Sequence, residues 1–214
     1  MNFNMKEQRS KDVRGRTHFA VGTAAALLIC QPGTVKEFLM GAGIAATGAL
    51  ISDIDVGTSE SHKKADLIVN SCILGIAALT AAQFLGYINL EHFKEVMLKS
   101  NMIHAAVGFV ILLALSAFGK ECPHRGFMHS FLACAAFSWC INKMMPAFST
   151  YFFIGFLSHL ILDFLNKRGL QLFFPWDKRF CLKLCLADGM VDRMLCFAGG
   201  AGICIAVICF LFFR

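Results

Sequence analysis

The sequence predicts an all-α fold: a polytopic transmembrane helical bundle of about six or seven membrane segments, some short or re-entrant. Three observations predict it. Hydrophobic residues make up 57% of the chain and charged residues only 16%, well below the quarter typical of soluble domains. The apolar residues run continuously, without the period-two alternation of strands. The lysines and arginines gather between the runs in a way that assigns most of them to one side of a membrane. A chain this apolar, with 22 phenylalanines, cannot cover its own core with polar surface, so the bilayer is its expected solvent.

The elements follow in order. Residues 1–16 are polar and basic and read as a cytoplasmic segment; residues 17–214 read as one transmembrane helical domain. The first run, Thr17–Cys30, could pass for a signal-peptide core, but "QPGTVKEF" follows it with no small-residue cleavage site, so it is read as retained. The second, Thr34–Ser52, carries Gly41, Ala45 and Gly48 on one helical face. Small residues let helices approach closely in lipid, and the first run is the expected partner of that face. Asp66–Ile88 and Met102–Phe118 form an inserted helix pair, spanning about 66–118, beside a core of residues 17–55 and 124–176. Met128–Phe148, Thr150–Leu165 and Met194–Phe213 complete the set, the last being the C-terminal helix 194–213. A crossing needs roughly 20 apolar residues, which the third, fifth and last runs satisfy, while the first and sixth are short.

Placing the N-terminus in the cytoplasm with seven crossings puts fifteen of the twenty Lys and Arg residues inside, as the positive-inside rule requires. The formal net charge of +6 suits anionic headgroups but is too dispersed to imply nucleic acid, and no nucleic-acid partner is expected. Most of the ten cysteines lie inside apolar runs, where free cysteine packs as a small hydrophobe. Cys181 and Cys185 are a close pair, but two thiols complete no structural zinc shell.

On this topology four separate regions deliver histidine and carboxylate to one membrane level. His18 begins the first segment, Asp53 and Asp55 follow the second, His124 and His129 precede the fifth, and His159 and Asp163 share a face near the end of the sixth. Each signal alone has a plain alternative: a satisfied polar pair, a turn and helix cap in "DVGTS", or interfacial histidines. Together they form the ligand chemistry of zinc, manganese or iron, in a number sufficient for one or two ions. Two-metal sites clamp the attacking and leaving oxygens of ester or phosphoester hydrolysis, and some carboxylates would orient histidine ligands instead of binding. Asp55, Arg125 and Asp163 are the catalytic candidates. Arg125 lies between two candidate ligands, and its guanidinium either enters the site or, like Lys167 and Arg168, sits at headgroups. His62, His92 and His104 fall in loops or on the outer side.

At these residues the chain resembles the YdjM-like inner-membrane metal-dependent hydrolases, a LexA-regulated membrane-bound family. The resemblance rests on "HRGFMHS" (124–130), "SDID" (52–55), "GFLSHLILDFLNKRGLQLFFPW" (155–176) and the early histidine in "GRTHFAVG". It covers the motifs and their order, about half the chain. Met128 and Asn166 stand where threonine is usual, which removes a hydroxyl hydrogen bond at each place. The resemblance implies an inner-membrane location and a divalent-metal cofactor, and it raises the expectation of a hydrolase acting on an ester or phosphoester, possibly lipid-linked. Membrane transport and a non-catalytic metal-stabilised scaffold are the alternatives. Polar residues at the helix ends, and not at midplane, favour hydrolysis over transport.

Overall fold

The computed structural model describes residues 15–55, 102–123, 125–184 and 189–212. Six α-helices lie among them: α1 (Gly15–Cys30), α2 (Val35–Ile51), α3 (Met102–Glu121), α4 (Phe131–Met144), α5 (Ser149–Phe164) and α6 (Met190–Phe212). Short 3-10 turns cover Ser52–Asp55, Phe127–His129 and Pro146–Phe148. The described residues contain no strand beyond an isolated bridge between Leu170 and Phe180, so the expected all-α class holds. The segment Asp66–Ile88 lies outside the described residues, as do His62, His92, His124 and Cys185.

Local chemistry sets the helix limits. Thr34 caps α2 by accepting the Glu37 N–H at 3.1 Å, while Glu37 accepts the Gly33 N–H at 2.8 Å, a reciprocal arrangement that satisfies two exposed donors. Ser130 caps α4 in the same way through the Ala133 N–H. That cap explains why the fifth apolar run is not one long helix from Met128. Its first residues form a 3-10 turn, α4 ends at Met144, and Pro146 opens the turn into α5. At 14 residues α4 is about 21 Å long, well short of a bilayer core. Among the described residues, the helices long and apolar enough to cross are instead Met102–Glu121, Pro146–Phe164 and Met190–Phe212.

α5 is the organising element, with half of its span buried against α1, α2 and α4. α3 and α6 expose most of their length, including Val110, Phe118, Phe197 and Leu211, the outward apolar surface a lipid solvent permits. The small face of α2 packs most closely against α5, and α1 also packs on α2 as expected, with Ala26 and Leu27 beside Ala45. A Cβ on Gly155 would strike the Ala45 carbonyl, and one on Gly48 would strike the Phe152 carbonyl. α1 makes its own close approach at Gly22, where a Cβ would meet Ala49 and Ser158 at 2.7 Å. α2 and α5 therefore run parallel with backbones in contact, α1 runs antiparallel to both, and α6 lies parallel to α1 with Gly199 and Gly202 against it. Phe137, Phe152 and Phe156 fill the space between α4 and α5.

This arrangement brings the start of α1, the ends of α2, α3 and α5, and the starts of α4 and α6 to one end of the bundle. Arg16, Lys120, Arg125, Lys167, Arg168, Lys178, Arg179, Lys183 and Arg193 lie at that end, and only Lys36 and Lys143 at the other, among the described residues. No disulfide forms among the described cysteines.

Candidate metal centre

Four elements meet at the basic end of the bundle, and each contributes one side chain or more. α5 places His159 and Asp163 one turn apart, both buried. The Phe127–His129 turn, held back by the Ser130 cap, aims His129 at them. α1 supplies His18, whose ring stacks on His159 with centroids 4.0 Å apart. The 3-10 turn after α2 supplies Asp53, whose side chain retains 28% exposure and is the most accessible of the group.

The donor atoms are spaced as metal ligands are. His129 Nε2 and His159 Nε2 stand 3.3 Å apart, and Asp163 Oδ2 lies 3.3 Å from the first and 3.7 Å from the second. A point equidistant from these three atoms is about 2.0 Å from each, a zinc–nitrogen or zinc–carboxylate bond length. Asp53 Oδ1, at 4.0 Å and 3.8 Å from the two imidazole nitrogens, lies close to where a fourth ligand would stand. The second carboxylate oxygen, Asp163 Oδ1, faces away toward His18 Nε2 at 3.4 Å. Two groups, His18–His159–Asp163 and Asp53–His129–His159, are thus placed so that they could hold a metal ion, and His159 is common to both.

The surroundings prepare these donors. His159 Nδ1 lies 2.7 Å from the Ala49 carbonyl, which can only accept, so that nitrogen carries the proton and Nε2 presents its lone pair to the cluster. Metal-binding histidines are commonly oriented through such a carbonyl. Ala49 is in the last turn of α2, where carbonyls run out of helical partners, and the contact between Gly48 and α5 brings it within reach. Asn166 donates to Asp163 Oδ1 at 2.7 Å. His18 Nδ1 is buried without a hydrogen-bond partner among the described residues.

Arg125 is buried and turned inward. Its guanidinium meets Asp163 Oδ2 at 3.2 Å and donates to the Arg168 carbonyl at 2.7 Å. Its backbone sits at φ 65°, a left-handed conformation rare outside glycine, and its carbonyl accepts the Gln171 N–H. This decides between its two expected positions, since the side chain is inside the cluster and not at the headgroups. Asp55 closes the 3-10 turn beside Asp53; its side chain, like all of His124, falls outside the described set. His104 is exposed near the start of α3, away from the cluster.

The profile of the YdjM inner membrane protein family matches residues 13–213. The chain belongs to that family. No curated protein and no solved structure matches it. The YdjM match takes in residues 56–121 along with the motifs, so the inserted stretch lies within the family's extent and the likeness reaches well past half the chain. Three helices suited to crossing a bilayer agree with the family's inner-membrane character. Two departures from the motif pattern now have physical accounts. Met128 is fully buried against Gly119 as part of the core. Asn166 restores through its amide the hydrogen bond that a missing hydroxyl was expected to forfeit.

Two contributors were not singled out in the sequence, Asn166 as a donor and Asp192. Asp192, in the first turn of α6, is fully buried and accepts the Thr17 hydroxyl at 2.7 Å. A lone carboxylate at the head of a strongly apolar helix, with a threonine preceding the early histidine, was the available signal.

Proposed function

We propose that this member of the YdjM family is a membrane-bound, metal-dependent hydrolase that cleaves an ester or phosphoester, with a lipid or lipid-linked molecule as the substrate class. The observation that carries the reading is the triangle of His129 Nε2, His159 Nε2 and Asp163 Oδ2, with sides of 3.3–3.7 Å, beside a buried arginine. His129, His159, Asp163 and Asp53 would hold a first divalent ion, for which zinc suits the donor set, and His18 with the other oxygen of Asp163 would serve a second. A bound divalent ion supplies a nucleophilic water near neutral pH and polarises the scissile oxygen.

The protein's own groups do the rest. Asp163 is oriented on one oxygen by Asn166 and on the other by Arg125. Arg125 anchors the cluster to the chain after α5 through the Arg168 carbonyl. Asp53 is the one member of the group with appreciable exposure, 28%, so substrate and water would reach the cluster past it. The basic residues gathered at this end support a cytoplasmic position for it, where a headgroup could reach the cluster without its lipid leaving the bilayer.

One observation favours a second reading. His18, His129, His159 and Asp163 are almost wholly buried, which suits a metal that stabilises the bundle without turnover. Purified protein offered a panel of phospholipids and soluble phosphoesters, with and without chelator, separates the two. Turnover that chelator abolishes and added metal restores supports the hydrolase. Turnover indifferent to metal, or none with any metal, contradicts it.

A further inference from the structure

The chain between α5 and α6 carries an unusual surface. Trp176 is 71% exposed, Leu184 66% and Leu182 48%, and Phe173 and Phe180 are also open. Lys178, Arg179 and Lys183, all exposed, are interleaved with them. Water is a poor solvent for such a concentration of large apolar side chains on a structured loop.

The loop is structured. Leu170 and Phe180 exchange backbone hydrogen bonds at 2.8 and 2.9 Å. The N–H groups of Leu182 and Leu184 bond the carbonyls of Phe164 and Leu165, capping the end of α5 directly beyond Asp163. Gln171 reaches across to the Pro175 and Trp176 carbonyls at 3.3 and 3.0 Å, and to Asp177 at 3.3 Å. The apolar side chains are therefore held outward by the backbone beneath them. They lie at the basic end of a bundle whose long helices suit a bilayer, so the medium beside them is the headgroup boundary. Tryptophan is favoured at that boundary because its ring is apolar and its N–H polar. Lysine and arginine interleaved with it match anionic headgroups, each contributing roughly fivefold in affinity near such a surface.

We propose that residues 173–184 form an interfacial lip that lies in the headgroup layer of the protein's own membrane and binds anionic phospholipid there, through Lys178, Arg179 and Lys183 with Trp176 as the inserted ring. The assignment depends on the membrane setting and not on hydrolysis, so it stands or falls separately from the proposed activity.

The chain has two tryptophans, so Trp139→Phe leaves Trp176 as the sole indole reporter. Trp139 is half-exposed on α4, away from the metal cluster, and Trp139→Tyr serves if the phenylalanine variant folds poorly. The protein is reconstituted in nanodiscs containing phosphatidylcholine and phosphatidylglycerol, with bromine high on the acyl chains of one lipid at a time. The expected result is quenching of Trp176 that is several-fold stronger when phosphatidylglycerol carries the bromine. That preference falls toward unity in high salt and in a Lys178→Gln/Arg179→Gln/Lys183→Gln variant. Water-like emission with no quenching overturns the proposal. So does equal quenching by the two lipids. Unquenched but blue-shifted emission overturns it as well, since the lip would then be covered by a second copy or another protein.

Discussion

The Nε2 atoms of His129 and His159 face each other across 3.3 Å, with both side chains fully buried. The Ala49 carbonyl fixes the proton of His159 on its other nitrogen, so this face of the ring offers a lone pair. A second lone pair opposite it would be repulsive in a medium of low dielectric. Either an N–H on His129 or a cation held between the two rings would relieve that repulsion, with the Asp163 carboxylate nearby to match the charge of a cation.

Asn166 is expected to act on metal affinity through Asp163. Replacing a partner that orients a ligand typically weakens metal binding about 10–100-fold. Asn166→Ala should show a loss of that order in a competition titration against a calibrated chelator. Asn166→Thr, which restores a hydroxyl donor, should recover part of it.

Close contact between α2 and α5 is expected to be a condition for the site. In Gly155→Val the added carbons meet the Ala45 carbonyl, and overpacking of this kind costs about 1–3 kcal/mol. The thermal midpoint in detergent should fall. Metal content per folded protein should fall with it, because the Ala49 carbonyl is displaced from His159. Gly43→Ala, on the open face of α2, should change neither.

Arg125 is expected to be irreplaceable by lysine. Its fork reaches the Asp163 carboxylate and the Arg168 carbonyl at once, which a single ammonium at the end of a flexible stem does not reproduce. Removing one member of a buried ion pair costs about 3–5 kcal/mol. Arg125→Ala should show a loss of that order in denaturant unfolding, and Arg125→Lys should recover only a fraction of it.

Thr17 is expected to fix the register of α1 against α6. Thr17→Val removes the donor that meets buried Asp192 and should cost about 1–3 kcal/mol, read as a lowered unfolding midpoint. Asp192→Asn, which retains an acceptor oxygen, should cost less.

Much of this centre was legible in the sequence because membrane topology is a strong constraint. Once the apolar runs alternate across a bilayer, His18, Asp53, His129, His159 and Asp163 must fall at one level. Spacing of four along a helix is enough to put His159 and Asp163 together. Partner choice was less legible. The small face at Gly41, Ala45 and Gly48 announces a close approach but not which helix makes it, and α5 has the matching glycine at 155. Hydropathy overstates helix length where an apolar run passes through a cap, since Ser130 ends a 3-10 turn and starts α4 without interrupting the run. The roles of Asn166 as a donor and of Asp192 as an acceptor are not legible in the sequence, because they depend on side chains distant in the chain or beyond a helix end, which periodicity does not report.

The central claim is tested most directly by metal content. Wild-type protein, purified in detergent without added chelator, should carry close to one or two equivalents of a divalent transition metal by elemental analysis. His129→Ala and His159→Ala, confirmed as folded by circular dichroism, should carry much less. A wild type without metal after growth with zinc, manganese and iron supplied, or folded histidine variants that retain the full wild-type content, would contradict the account.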